Sequence, residues 1–129
     1  MIKIFKIIDK SEKLFILNFM KKTKGLVYLI EDSENNMYKI GATRGKADKR
    51  MKQLQTGNCT ELKIINTFET DYPYRLETML HNKYKNLNVF NEWFSLDSDI
   101  VSSFNETCTK LNETIITLLD NPFFNKNLH

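Results

Sequence analysis

The sequence predicts an α+β fold: a small antiparallel sheet of about three strands, flanked by helices and closed by an extra C-terminal helix. Three observations carry this reading. Residues 26–30 and 37–41 are short apolar or aromatic runs on either side of turn residues, the signature of a β-hairpin. A third β-rich stretch, Glu61 to Glu69, lies between two helix-length segments. Finally, Val101, Phe104, Cys108, Leu111, Ile115 and Leu118 recur at steps of three and four, an apolar stripe that has to cover something.

In chain order, Ile2 to Ile8 suggests a short strand, and Ser11 is placed to cap a helix running to Lys22. Leu26-Val27-Tyr28-Leu29-Ile30 reads as a buried strand, Asp32-Ser33-Glu34-Asn35 as a turn, and Met37-Tyr38-Lys39-Ile40-Gly41 as the returning strand. A helix is expected from about Lys46 to Gln55, with Gly57 suited to a left-handed cap. After the third strand, Pro73 occupies a natural first-turn position for a helix running to about Asn86, with Leu76, Leu80 and Leu87 as its buried face. The chain returns through Glu92-Trp93-Phe94-Ser95-Leu96, and Asp97 or Ser98 caps the last helix. That helix either closes one side of the sheet or forms a homodimer contact. Residues 1–24 are thus a basic extension, 25–96 the central domain, and 97–129 a helix and tail packed on it.

The chain has 129 residues, 41% of them hydrophobic, which suits one core and excludes a disordered or collagen-like chain. No apolar run approaches the roughly 18–20 residues needed to cross a bilayer, and lysines interrupt the N-terminus, so neither a membrane protein nor an exported one is expected. Cys59, Cys108, His81 and His129 lack zinc-site spacing, and both thiols read as reduced and intracellular, in a cytoplasm or nucleus. The net charge of +3 is unevenly spread. Residues 1–24 carry seven Lys against Asp9 and Glu12, a net +5, whereas residues 97–129 sum to −3. Between Lys39 and Lys52 six cations face Asp48 alone, either a solvated helix face or a surface for an acidic polymer. Sixteen Lys against three Arg, with fourteen Asn, suggest an AT-rich source such as a virus or phage.

Leu26-Val27-Tyr28, ten further residues, and Lys39-Ile40-Gly41 resemble the paired motif of the GIY-YIG nuclease superfamily. Tyr38-Lys39-Ile40-Gly41-Ala42-Thr43, Arg50 ahead of Leu54-Gln55-Thr56-Gly57-Asn58, Leu76-Glu77 followed by Leu80-His81, and Glu92-Trp93-Phe94 are similar to its T5orf172 and MUG113-like branch. The chain departs from the pattern at Leu26, where the motif has Gly, at Lys39, where it has Tyr, and at Leu54, where some relatives carry a second His or Tyr. The resemblance implies a metal-dependent endonuclease acting on duplex or branched DNA. Tyr28 and Lys39 would handle the attacking water, Arg50 the scissile phosphate, and Glu77 a Mg²⁺ or Mn²⁺ ion. His81 would orient the phosphate or shuttle a proton, or else be a structural group. Asn88 or Asn91 would close the site. Gly41 is the motif glycine, while Arg44, Lys46, Lys49, Lys52 and Asn58 would contact neighbouring phosphates without reading sequence. The alternative is a catalytically weak nucleic-acid-binding module with the same fold.

The residues also carry a physical reading of their own. Strand alternation puts Leu26, Tyr28 and Ile30 on one face, and Lys39 and Gly41 share a face, so Tyr28 and Lys39 can meet across the hairpin. A phenol is a poor base at neutral pH and needs a neighbouring cation to become one; otherwise Tyr28 is simply packing. Ala47, Met51 and Leu54 form a narrow apolar stripe with Arg50 at its border, which leaves Lys46, Lys49 and Lys52 toward solvent. Arg50 is then either a phosphate ligand or half of a salt bridge. Glu77 and His81, four apart, lie on one side of their helix. One carboxylate suits Mg²⁺, which retains most of its waters.

Overall fold

A computed structural model of the chain describes residues 9–12 and 22–119. The strand read at Ile2–Ile8, most of the helix read from Ser11 and the tail from residue 120 lie outside the described residues. Two strands open the fold, β1 (Gly25–Asp32) and β2 (Met37–Thr43). They pair antiparallel with Tyr28 opposite Gly41 and Ile30 opposite Lys39. The turn between them is local chemistry. The Asp32 carboxylate accepts from Asn35 N at 3.3 Å and Asn35 Nδ2 at 2.8 Å, and Asn36 takes φ 53°.

Helix α1 (Ala47–Thr56) follows, then β3 (Leu62–Thr70), which pairs antiparallel with the other edge of β1. Gly57 ends α1 at φ −93°, so the expected left-handed cap is absent; Asn58 Nδ2 instead donates to Leu54 O at 2.6 Å. Gln55 clasps the loop into β3, accepting from Leu62 N at 2.8 Å while donating to Thr60 O at 2.7 Å. Helix α2 starts at Pro73, as expected, and ends at Lys83. Leu87 falls beyond it in a 3₁₀ turn (Lys85–Leu87) and is exposed, so Tyr84 fills the buried place assigned to it.

Among the described residues the sheet has five strands rather than about three. Two short ones, β4 (Asn88–Phe90) and β5 (Trp93–Phe94), form a second hairpin, and β5 pairs with β2, giving the order β3-β1-β2-β5-β4. Strands of two and three residues are too short for alternation to reveal them. The long stripe near the C-terminus also divides, into α3 (Ser98–Ser102) and α4 (Phe104–Leu119). Asp97 caps α3 by accepting from Ile100 N at 2.9 Å. Leu118 is exposed and Leu119 buried, the reverse of the expected face.

Alternation along β1 and β2 sorts the side chains into two cores. Val27, Leu29 and Ile40 pack against Leu76, Leu80 and Tyr84 of the α2 segment and Phe104, Cys108, Ile115 and Leu119 of α4. The C-terminal stripe therefore closes one side of the sheet. Each large buried aliphatic or aromatic side chain there contributes about 1.5–3 kcal/mol of transfer free energy. On the opposite face Tyr28, Ile30, Leu62 and Trp93 form a smaller cluster covered by Met51 and Leu54 of α1. No helix among the described residues is long and apolar enough to cross a membrane. Both cysteines are free, and burial pushes the Cys108 thiol up to about 12, which makes it inert packing.

Candidate active site

The site starts from a missing side chain. A Cβ built on Gly41 would lie 2.3 Å from the Tyr28 hydroxyl oxygen and 2.4 Å from Cζ, so the bare backbone of β2 is where the Tyr28 ring crosses from its own strand. Tyr28 is 2% exposed. At the far end of the ring, Arg50 Nε donates to the hydroxyl at 3.4 Å, reaching down from α1 while its Nη1 donates to Gln53 Oε1 at 3.2 Å. The helical stripe that packs Met51 and Leu54 on the sheet brings Arg50 to this border. Burial raises the phenol above its ordinary value, with Arg50 pulling the other way, so Tyr28 holds its proton at neutral pH. The hydrogen bond to Tyr28 raises the affinity of Arg50 for its own proton, and the guanidinium stays charged.

Lys39 shares this face with Tyr28 but finds a different partner. Register sets it opposite Ile30 and, on its other side, opposite Trp93 of β5. Its ammonium forms an ion pair with Glu92 and lies 5.9 Å from the centre of the Trp93 ring. The expected meeting of Tyr28 and Lys39 is thus replaced by two adjacent pairs, Tyr28 with Arg50 and Lys39 with Glu92. At 7% exposure Lys39 is among the few buried charged residues of the fold, and the carboxylate compensates it.

Glu77 and His81 come from one face of α2, a helix set against β2 by Leu76 and Leu80. The Glu77 carboxyl is pushed up to about 7, first by burial and then by the charge of Glu92, against the opposing pull of Lys39, the Ala42 N–H and Arg50. His81 Nε2 donates to Ile40 O at 2.8 Å, and its ring lies 5.1 Å from that of Phe94. A carbonyl only accepts, so in the neutral ring the lone pair is on Nδ1. One ligand atom each from Glu77, His81 and Glu92 lie within 4.8 Å of one another. Two carboxylates and an imidazole suit a small divalent cation: Mg²⁺ or Mn²⁺ by the oxygens, with Mn²⁺ more tolerant of the nitrogen.

The structure therefore brings Tyr28, Arg50, Glu77, His81 and Lys39 together and adds Glu92, which sequence reasoning places in a motif but leaves without a role. A signal is available, since Glu92 is the only acid between Glu77 and Asp97. Asn88 and Asn91 do other work. Asn88 Nδ2 donates to Asn91 O at 2.8 Å and Trp93 O at 3.1 Å, and Asn91 is the turn residue at φ 48°. Lys46, Lys49 and Lys52 are exposed along α1. Arg44 lies over the Tyr74 ring at 5.5 Å, and Asn58 is held by the α1 terminus.

No curated protein and no solved structure matches the chain. A family model does: the T5orf172 domain matches residues 25–110, more than half of the chain, from the first residue of β1 into α4. All six residues gathered above lie inside that span, and the chain belongs to the T5orf172 domain family, a GIY-YIG-like, nuclease-associated group.

Proposed function

We propose that the chain is a metal-dependent endonuclease that hydrolyses DNA phosphodiester bonds. The supporting observation is convergence. Tyr28 and Arg50 are hydrogen-bonded, Lys39 and Glu92 are ion-paired, and Glu77 feels the charges of Lys39, Glu92 and Arg50 while lying within ligand distance of Glu92 and His81. In this reading the permanent charge of Arg50 grips the scissile phosphate and offsets charge that builds on its oxygens during attack. Tyr28, which keeps its proton, orients the attacking water together with the Lys39 ammonium. His81 accepts a proton at Nδ1 and, once protonated there, orients the phosphate. Glu77, with Glu92 beside it, would hold Mg²⁺ or Mn²⁺, which when bound supplies positive charge against the phosphodiester and the leaving oxygen. Lys46, Lys49, Lys52, Arg44 and Asn58 line the approach of the flanking DNA backbone.

Nicking of supercoiled plasmid by purified protein in Mg²⁺ or Mn²⁺ tests this. Cleavage is expected to vanish in EDTA and in Glu77→Ala and Arg50→Ala. A wild type that cuts neither plasmid, branched DNA nor single strands in either metal refutes the reading. Variants as active as wild type refute the site instead. Independently of cleavage, Mn²⁺ at a hundredfold excess over its dissociation constant should stabilise wild type by about 2.7 kcal/mol and leave Glu77→Ala unmoved.

A second reading has its own observation. Leu54, one helical turn after Arg50, is packed into the apolar cluster with Tyr28, so α1 offers no further proton carrier at that place. A binding module with little catalysis follows, recognised by salt-sensitive DNA binding that survives both EDTA and Glu77→Ala without strand breakage.

A further inference from the structure

Among the described residues, the sheet face that carries the site is covered by α1 on one side only. Met51 and Leu54 shield the cluster around Tyr28 and Ile30, whereas all three residues of β4, at the opposite edge of the sheet, are exposed. Phe90 is the largest of them, 49% exposed. Its ring stacks on Trp93 with centroids 6.5 Å apart and planes at 23°, and the Trp93 ring in turn neighbours the Lys39 ammonium. A row therefore runs across the face from Arg50 and Tyr28 through Lys39 and Trp93 to an open aromatic surface. The hairpin holding that surface is braced by the two Asn88 hydrogen bonds and by Ser95 N donating to Leu87 O at 2.9 Å. Little ordering remains to be done when something lands on the ring.

We propose that Phe90 is a base-stacking platform, and that the DNA taken by this site carries an unpaired nucleotide next to the phosphate held by Arg50, as at a flap, frayed end or junction. The inference rests on the nuclease reading and narrows its substrate. Within continuous duplex both faces of every base are covered by neighbours, so a projecting ring finds a free base only where pairing is broken. The guanidinium of Arg50 at the other end of the row matches the phosphate that accompanies such a base. A protein partner is the poorer fit, because one three-residue strand is far narrower than the roughly 800 Å² per partner of a stable interface.

The experiment is fluorescence anisotropy in EDTA, where no cleavage occurs, using the same sequence as blunt duplex and as a duplex with a single-stranded flap. Wild type should prefer the flap. Phe90→Ala should weaken flap binding by about five- to a hundredfold, while Phe90→Tyr restores it. A 2-aminopurine at the unpaired position should be quenched by wild type and not by Phe90→Ala. If the flap-to-blunt ratio is the same for wild type and Phe90→Ala, the platform is refuted, and plasmid nicking then shows whether the nuclease reading survives it. Absence of binding and of cleavage removes both. Sedimentation that finds a dimer lost in Phe90→Ala assigns the ring to a second copy of the chain and overturns the proposal.

Discussion

Gly41→Ala is the sharpest probe of how the site is built. The added methyl would sit 2.3, 2.4 and 2.8 Å from the hydroxyl oxygen, Cζ and Cε1 of Tyr28. Carbon atoms pack at about 3.5–4.0 Å, so the ring must retreat by roughly 1 Å or more. It has little room: Ile30, Leu62 and Trp93 pack in its cluster and Arg50 holds its hydroxyl. Overpacking of this kind costs about 1–3 kcal/mol, and loss of the Arg50 hydrogen bond adds about 1 kcal/mol. The reduced freedom of the unfolded chain offsets about 0.4–1 kcal/mol. The net expectation is about 1–3.5 kcal/mol, or roughly 5–15 °C in melting temperature for a chain of this length. Urea unfolding of wild type, Gly41→Ala, Tyr28→Leu and the double variant measures it as a cycle. With the phenol gone, the alanine should cost less than about 1 kcal/mol, a coupling of roughly 2 kcal/mol. Equal costs in both backgrounds would refute the crossing of ring over glycine.

The carboxyl of Glu77 gives a pH signature in metal-free buffer. Its pKa rises from 4.5 to about 7 on folding, so the fold favours the protonated form; the stability this confers is complete below pH 4.5 and is lost as pH climbs through about 7. Wild type should therefore lose urea stability relative to Glu77→Gln between those values and run parallel to it above them, and a flat difference would refute the assignment. Substituting Lys46, Lys49 and Lys52 together by Ala should weaken binding to all DNA sequences alike. It should also lower the slope of log affinity against log salt by about 1 for each phosphate that is no longer neutralised, whereas an unchanged slope would place those lysines away from DNA.

Much of the fold is legible from residue order because its signals are local. Val27, Tyr28 and Leu29 alternate, Asp32 to Asn35 close a turn, and Pro73 starts a helix, each within a few residues of its cause. The helical faces bearing Arg50, Glu77 and His81 follow from periodicity in the same way. Partner choice is not legible, because it depends on register between distant strands. Tyr28 and Lys39 share a face, yet the pairing of Tyr28 with Gly41 and of Lys39 with Trp93 hands each a different neighbour. Glu92 escapes for a related reason: it reaches the cluster only through the Asn91 turn and a two-residue strand, neither of which leaves a periodic trace. The break between α3 and α4 has a plainer cause. Ser103 Oγ donates to Asp99 O at 2.8 Å alongside its own N–H to the same carbonyl, and back-bonding of this kind bends a helix in a way that apolar spacing does not register.

The strand order also fixes when the site comes into being. Among the described residues the second hairpin is the last part of the sheet along the chain, yet it docks on β2, whose other edge is taken by β1. A polypeptide emerging from a ribosome would present the phenol, the guanidinium and the first carboxylate well before Glu92 and Trp93 arrive to neutralise and shelter Lys39. Assembly of the chemistry thus waits for the two shortest strands, and any fragment cut short ahead of Glu92 would leave Lys39 with neither its counter-ion nor the ring that shelters it.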